Sequence, residues 1–514
     1  MKFDAIVIGA GPNGLVAAAM LAKRGRKVLV VESADEIGGH TRTIEFAPGY
    51  HSPLNEDCGW VPPKVSTVLG LGDSLARVTP SASTSVAKDG ELLTLASNPR
   101  GAAETIRRLS EKDASRWPAF VERLHKFAGI LGELYQLTPP DIDTKSIAEI
   151  LPMLGVGRKL RALGRNDMTE FLRVMPMSVQ DLLDDTFESE LLKAAVASAA
   201  IRDIQQGPRS GGTTYNLLHY MVGAPEQSVR ARMWWRAGPD AFAKAAADVA
   251  RKHGVEIRTR ARVERISVGD AVVTGVVLGN GEEIEARMVI STADPKRTLL
   301  GMLDPVWFDP EFLLAVANIK LRGCTAYAFY AIGSAMNDQA FGAPVSLTAS
   351  TAALEKAADA AKYGEISSEP HVEFFAPTLR WHNLAPQGKH VVAARVQYAP
   401  HHPRSGPWSD AQRGVLQEKL TAALARAIPG FASSILHRAL LSPLDIEERF
   451  GMTEGALTQG ELTLDQILFM RPVPGWGHYA MPVKGLYLGG AGAHPGPGVL
   501  GGPGFLAAKA ALSG

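Results

Sequence analysis

Residues 4–39 read DAIVIGAGPNGLVAAAMLAKRGRKVLVVESADEIGG, and the reading of this stretch decides the fold. The apolar run Ala5 to Ile8 predicts a buried parallel strand. It enters Gly9, Ala10, Gly11, Pro12, Asn13 and Gly14, and an alanine- and leucine-rich helix follows. A second apolar run, Val28 to Val31, ends at Glu32. Gly9 permits the tight strand-to-helix turn, Gly11 lets backbone approach a pyrophosphate, and Gly14 lets the helix pack close to the sheet. Pro12 and Asn13 open the helix, whose free N–H groups and positive dipole end suit phosphates. Glu32, with Ser33 beside it, stands where a carboxylate accepts both ribose hydroxyls, and it would repel a 2′-phosphate. A lone GxGxxG is weak evidence, but here strand, helix, second strand and acid all fall in place.

Gly38 and Gly39 follow shortly after Glu32. An NAD domain has no need of a second glycine pair there. FAD is longer, and its pyrophosphate and ribityl chain run past this turn, where backbone N–H groups can meet them and any Cβ would clash. The expected cofactor is therefore FAD. Arg42 either balances phosphate charge, sits beside the flavin ring, or is an ordinary surface arginine.

The chain has 514 residues, which suits two or three domains. It is 46% apolar and 21% charged, and 54 basic against 53 acidic residues leave a formal net charge of +1. That balance gives no reason to expect a nucleic-acid partner. The two cysteines, Cys58 and Cys324, form no CxxC, which excludes a dithiol redox centre and fits a reducing compartment. No cleavable targeting segment is visible, so the expected location is cytoplasmic. Two long uncharged stretches, 5–22 and 485–508, are broken by Gly and Pro and read as nucleotide-binding turns rather than membrane spans.

The cofactor domain is expected to be discontinuous: 1–75, then 235–299, then 476–514. In the second piece a helix over 241–253 precedes strands at 254–257 and 261–268. Asn280-Gly281 between apolar runs is the strongest short hairpin signal, and 287–292 returns to the parallel sheet. In the third, 485–491 is a strand running into glycines, and the Gly/Pro turn 494–504 precedes a helix from 505. A helix N-terminus behind that turn can point at the N1–C2=O edge of a flavin and stabilise its anionic reduced form. The segments 76–234, mostly helical with helices near 107–131 and 181–200, and 300–475, mixed, are expected to build a substrate domain.

The chain resembles flavin-dependent desaturases and oxidases of the phytoene-desaturase type. It is most similar to the branch named for a pyridine nucleotide-disulfide oxidoreductase domain. The resemblance covers nearly the whole chain: GAGPNGLVAA and GG, GVEIRTRARVERI with its hairpin and VISTADP, and the more specific LAPQGKHVVAARVQYAP (384–400), GELTLDQILFMRP (460–472) and GLYLGGAGAHPGPGVLGGPG (485–504). It implies an amine-oxidase-like α/β fold, a discontinuous Rossmann-type FAD domain with a mixed α+β substrate domain, and FAD at their interface. It implies adenine contact near Val263 and flavin contact at Gly490, Ala491, Gly498 and Val499. His40 and Arg42 depart from it, since smaller residues are frequent there in relatives.

Other features carry blander readings. His401-His402 does not suggest a metal site, because neighbours on an extended chain point opposite ways and no second ligand pair is suitably spaced. Trp234-Trp235 reads as packing rather than a stacking platform. His494 reads as a turn-stabilising hydrogen bond ahead of an acid–base role. Asp465, Gln466 and Arg471 either line the site or form a buried polar lattice. Residues 150–175 mix apolar side chains with five basic ones, either a solvated helix face or a peripheral contact with an anionic membrane, and Gly155, Gly157 and Gly164 weaken a long helix there.

The expected activity is an FAD-dependent oxidoreductase that takes a hydride and a proton from a C–C bond of an apolar, isoprenoid- or acyl-type substrate. The electron acceptor would be oxygen, a quinone or another carrier. The alternatives are a flavin amine oxidase and, as a non-enzyme, a prenyl-binding escort like the Rab GDP-dissociation inhibitors. No catalytic residue can be named, since the flavin takes the hydride and the protein supplies position and dryness. The substrate walls show no strong charge cluster in sequence, so an apolar tunnel is expected.

Overall fold

The computed structural model describes residues 2–513 apart from 56–58, 72–74, 79–81, 89–90, 141–146, 225–228, 230–232, 334–340, 342 and 349. Cys58 lies outside the described residues. Ala5–Ile8 and Val28–Val31 are apolar at every position and buried at every position, as a strand covered on both faces must be. They sit in a wholly parallel five-stranded sheet, in the order Glu256–Arg258, Val28–Val31, Ala5–Ile8, Val289–Ser291, Leu486–Leu488. Strands from the beginning, middle and end of the chain thus share one sheet. The helices Pro12–Lys23, Ala241–Lys252 and Gly502–Ser513 pack together, the first touching both others. The first and last approach very closely: a Cβ on Gly504 would stand 1.9 Å from the Asn13 carbonyl oxygen. A four-stranded sheet, Lys2–Phe3, Glu283–Ala286, Val272–Leu278 and Val263–Gly269, adds Phe3, Ile266, Val276 and Ile284 to the same core.

A second sheet has seven strands, in the order Ile435–Leu441, Thr325–Ile332, His390–Gln397, His371–Phe375, Val345–Ser346, Ala82–Lys88, Glu91–Ala96. One face is sealed by Leu416, Leu420 and Leu424 of the helix Asp410–Ala427. The other carries Tyr327, Phe329, Phe375 and Ala393, packed with Ile44, Leu54 and Ile446. A helical group, including Glu111–Leu134, Glu190–Ala200 and Thr213–Met221, has its own core around Trp117, Phe127, Leu131 and Tyr215.

Three local readings differ from the sequence expectation. The segment 76–234 is mostly helical, but its hairpin Ala82–Lys88/Glu91–Ala96 leaves to join the seven-stranded sheet. The expected helix over 181–200 is two, Val179–Asp184 and Glu190–Ala200. The break is held from afar: the buried Asp113 carboxylate accepts the N–H groups of Glu188 at 3.0 Å and Ser189 at 2.8 Å. In the basic segment, Ile147–Ala162 and Gly164–Val174 part at Gly164, which has φ +80°, whereas Gly155 and Gly157 stay helical. Among the described residues, no helix is long and apolar enough to cross a membrane.

Candidate active site

A cleft of about 950 Å³ opens at the carboxyl ends of Ala5–Ile8 and Val28–Val31, where parallel α/β sheets bind ligands. Of the predicted residues, Gly9, Gly11, Pro12, Asn13, Glu32, Ser33, Gly39, Arg42, Val263 and Ala491 line it. Gly11 is the N-cap of Pro12–Lys23; no side chain caps this helix and no acid sits in its first turn, so its end is open to an anion. A Cβ on Gly11 would meet no atom within 4 Å, and one on Gly39 would stand 3.4 Å from Gly11 Cα. The two glycine turns therefore frame a cradle that side chains would narrow. Asn13 Oδ1 is buried there without a hydrogen-bond partner, which fits a hydroxylated ligand.

Glu32 does more than face the cleft. Its Oε2 accepts the Ala10 N–H at 2.7 Å and its Oε1 the Ala34 N–H at 2.8 Å, fixing the carboxylate against both turns. Oε1 also accepts the Ser33 hydroxyl at 3.2 Å, whereas Oε2 keeps a lone pair for a ribose hydroxyl. Arg42 and Arg449 line the same cleft, and burial together with the neighbouring Arg42 lowers the pKa of Arg449. Two neighbouring cations in a cleft that also holds an open helix N-terminus suit a diphosphate. Gly14, Gly38 and Gly490 stand back from the cleft. A Cβ on Gly14 would lie 2.0 Å from the Gly9 oxygen, and one on Gly490 2.6 Å from the Thr292 oxygen. Gly38, with φ +111°, donates its N–H to the Ala10 oxygen at 2.9 Å.

Beyond Pro12 and Asn13 the cleft meets a second chamber, of about 100 Å³. His40 and Thr41 lie on one side, Ala491, Gly498 and Val499 on another, and Arg202, Asp203 and Tyr220 on a third. Burial lowers the pKa of His40 against the pull of Asp203, so the imidazole is neutral at neutral pH. The sequence alone singles out none of His40, Asn55, Arg202, Asp203 or Tyr220 as a site residue. Only the departure of His40 from its relatives carries a signal.

These walls correct the expectation of an apolar tunnel without a strong charge cluster. Asp203 Oδ1 accepts from Arg395 Nη2 at 2.5 Å, and Oδ2 from Arg202 Nε at 3.3 Å and the Tyr220 hydroxyl at 3.5 Å. Burial would raise the Asp203 pKa, but Arg395 and Arg202 overcome it and hold the carboxyl below its ordinary value. The residues come from segments far apart in sequence, so no local charge run announces them. Asp203 also takes φ +56°, in the left-handed region, a strain that its hydrogen bonds hold in place.

Behind the 494–504 turn lies a buried relay. The Pro497 carbonyl only accepts, so His219 Nε2 donates to it at 2.7 Å. His219 Nδ1 must then accept the Tyr135 hydroxyl at 2.7 Å, and Tyr215 donates to Tyr135 at 2.9 Å. His494 Nε2 bonds the Leu134 carbonyl at 3.2 Å, which is a structural tie between turn and helix. Arg471, wholly buried, donates to Ala491, Thr458, Gly460 and Gln466 carbonyls at 2.7–3.2 Å. Gln466 bonds Lys320 backbone and Asp465 pairs with Lys320 at 2.7 Å, so this motif forms a lattice behind the site.

Burial lowers the pKa of His219 and of His494 to about 4, from 6.5. Between those values the unfolded chain binds protons that the folded chain refuses. Stability is therefore full above about 6.5 and falls as pH drops toward 4, by up to ~1.4 kcal/mol per pH unit for each histidine. Thermal melts and cofactor release followed from pH 7.5 down to 4.5 should show this loss. A melting temperature flat across that window would refute it.

The remaining candidates pack. Trp235 stacks on Phe242 with centroids 6.0 Å apart, and Trp381 donates its Nε1–H to the Trp235 carbonyl at 2.9 Å. The rings of His401 and His402 do not diverge as an extended chain would require: they meet edge-on at 4.3 Å, and His401 bonds Glu447 at 2.7 Å. Among the described residues there is no cluster of three His, Cys, Asp or Glu placed to hold a metal.

Comparison with known proteins agrees with this geometry. The family model for flavin containing amine oxidoreductases matches residues 13–502. The chain is 32% identical over 542 residues to pyridine nucleotide-disulfide oxidoreductase domain-containing protein 2 of Rattus norvegicus, covering 99% of this chain and 93% of that one. It is 24% identical to a component of the limonene dehydrogenase of Castellaniella defragrans (98% and 94% covered) and 25% to a phytoene desaturase of Cereibacter sphaeroides (97% and 92%). Wild-type putrescine oxidase bound to putrescine shares the fold with a TM-score of 0.58 at 14% identity, covering 100% of this chain and 99% of that one. Cyclohexylamine oxidase from Brevibacterium oxydans gives 0.56 at 15%, covering 100% and 98%. The cofactor is FAD, which when bound supplies the two-electron acceptor, while this chain's residues place it, screen it from water and hold its charges. With the family model matched over residues 13–502, this chain belongs to the flavin containing amine oxidoreductase family.

Proposed function

We propose that the protein is a desaturase or dehydrogenase that takes a hydride and a proton from a C–C bond of an apolar, isoprenoid- or acyl-type substrate. One observation carries this reading: the end-to-end likeness to desaturases and a dehydrogenase. The segments 76–234 and 300–475 supply the substrate walls, and 1–75, 235–299 and 476–514 hold FAD, with Gly9, Gly11, Pro12, Asn13, Glu32, Ser33, Gly39, Arg42 and Val263 around the dinucleotide. Ala491, Gly498 and Val499 border the ring. Leu457, Val499 and Leu500 supply the apolar part of a chamber lining that also holds Arg202 and Asp203. Oxygen, a quinone or another carrier takes the electrons onward.

Amine oxidation is the second reading, favoured by the oxidase structures' shared fold. An ammonium substrate would seek a carboxylate, and Asp203 lines the chamber. That carboxylate is already held by Arg202 and Arg395, which ranks the amine reading second.

Purified protein should be yellow and release FAD rather than FMN on denaturation. Anaerobic bleaching of its flavin, screened over limonene, long-chain acyl compounds and primary amines, tests the substrate class; bleaching by amines alone would overturn the proposal. NADH and NADPH should reduce the flavin poorly, because the sequence has one dinucleotide fingerprint and no CxxC. Rapid stoichiometric reduction by either in stopped flow would contradict this.

A further inference from the structure

Arg395 lies on the strand His390–Gln397, in register with Tyr327 on one side and Glu373 on the other. Directly paired residues point to the same face of a sheet, so the three side chains rise together toward the chamber side. Around them the face is apolar, with Phe329, Phe375 and Leu54. Arg395 is 5% exposed and Tyr327 2%, and both line a small void of about 10 Å³.

The guanidinium is half used. Its Nη2 bonds Asp203 at 2.5 Å, and through Asp203 it reaches the chamber beside Ala491 and Gly498. Its Nε and Nη1 are buried without a hydrogen-bond partner, as is the Tyr327 hydroxyl, and the Glu373 carboxylate stands off at 3.9 Å. Buried donors left unmade are costly, so such a group in a native fold calls for an occupant. Guanidinium N–H groups only donate, so the missing atom is an acceptor. A void of this size holds about one oxygen atom.

We propose that Arg395 and Tyr327 form a recognition site for a carbonyl or carboxylate oxygen of the substrate. The inference rests on the reading that this chamber receives the substrate, and it narrows that reading: the substrate is acyl- or oxo-functionalised rather than a pure hydrocarbon or an amine. Arg202 and Arg395 are balanced by Asp203 and Glu373, so the site takes a neutral carbonyl as readily as a carboxylate. An ammonium group would face the open N–H bonds of a cation.

The test titrates FAD-loaded protein anaerobically with decanoate, 2-decanone, decane and decylamine, reading perturbation of the flavin spectrum. Decanoate or 2-decanone should bind at least about tenfold more tightly than decane or decylamine. Arg395→Met strips Asp203 and Glu373 of their cation and tests folding as much as ligand, so Tyr327→Phe carries the decision. Its hydroxyl bonds nothing, so FAD content and melting temperature should hold while the preference for the oxygenated probes drops severalfold. Equal binding of all four probes, as a resident water alone would give, overturns the site, and so does a preference untouched by Tyr327→Phe. Flavin bleaching by limonene without any such preference would overturn the site and leave the oxidoreductase reading standing; protein without FAD would remove that reading first.

Discussion

Replacing Gly11 with valine is expected to give a folded but colourless protein. The position has φ −74°, which any L-residue adopts, and a Cβ there meets nothing within 4 Å. The only intrinsic cost is a poorer N-cap, about 1 kcal/mol. The valine methyls would instead fill the cradle between Gly11 and Gly39, the place proposed for the pyrophosphate. FAD affinity should fall at least ~100-fold, about 2.7 kcal/mol. Released flavin per chain measures the loss, and the melting temperature of FAD-free protein should match that of FAD-free wild type. Gly14→Ala makes the contrast. Its Cβ would sit 2.0 Å from the Gly9 oxygen, so it should damage the fold itself. Recovery of Gly11→Val with stoichiometric FAD would overturn the placement of the cofactor.

Arg471→Met should be the most destabilising single change behind the site. Four backbone carbonyls, from Thr458, Gly460, Gln466 and Ala491, point at one buried guanidinium. Methionine fills the space and donates nothing, leaving buried acceptors unmade at roughly 4 kcal/mol or more in total. The loss lands on the wall shared by the cleft and the second chamber, because Ala491 lines both and Arg471 holds its carbonyl at 2.7 Å. A large fall in urea midpoint, with FAD released before global unfolding, is the expected result. Arg471→Lys should recover only part of it, since an ammonium is a point donor and cannot span four carbonyls. A methionine variant with wild-type midpoint and flavin content would show the clamp to be idle.

The dinucleotide end was legible because its chemistry is local. The strand, the glycine turn, the helix start and Glu32 lie within one short stretch, and backbone geometry there follows from residue type. Even so, Glu32 proved to bind the Ala10 and Ala34 N–H groups as well as face the cleft, a double use its position alone could not show. The Asn280-Gly281 hairpin and the strand at Leu486–Leu488 were likewise readable, each from a turn signal beside an apolar run. The helix break between Asp184 and Glu190 was not, because Asp113 holds it from another helix.

By itself the sequence determined the strand, glycine turn and helix start at the head of the parallel sheet and, with its resemblance, the class of ligand, since that local geometry rests on neighbours along the chain. Only the tertiary structure decided the character of the second chamber. Arg202-Asp203 comes from a helix end, Glu373 and Arg395 from two sheet strands, and His40 from the turn after Gly39. Each is an unremarkable residue in its own segment. They become a buried polar cluster only where long-range packing brings the segments together and excludes the water that would otherwise screen them.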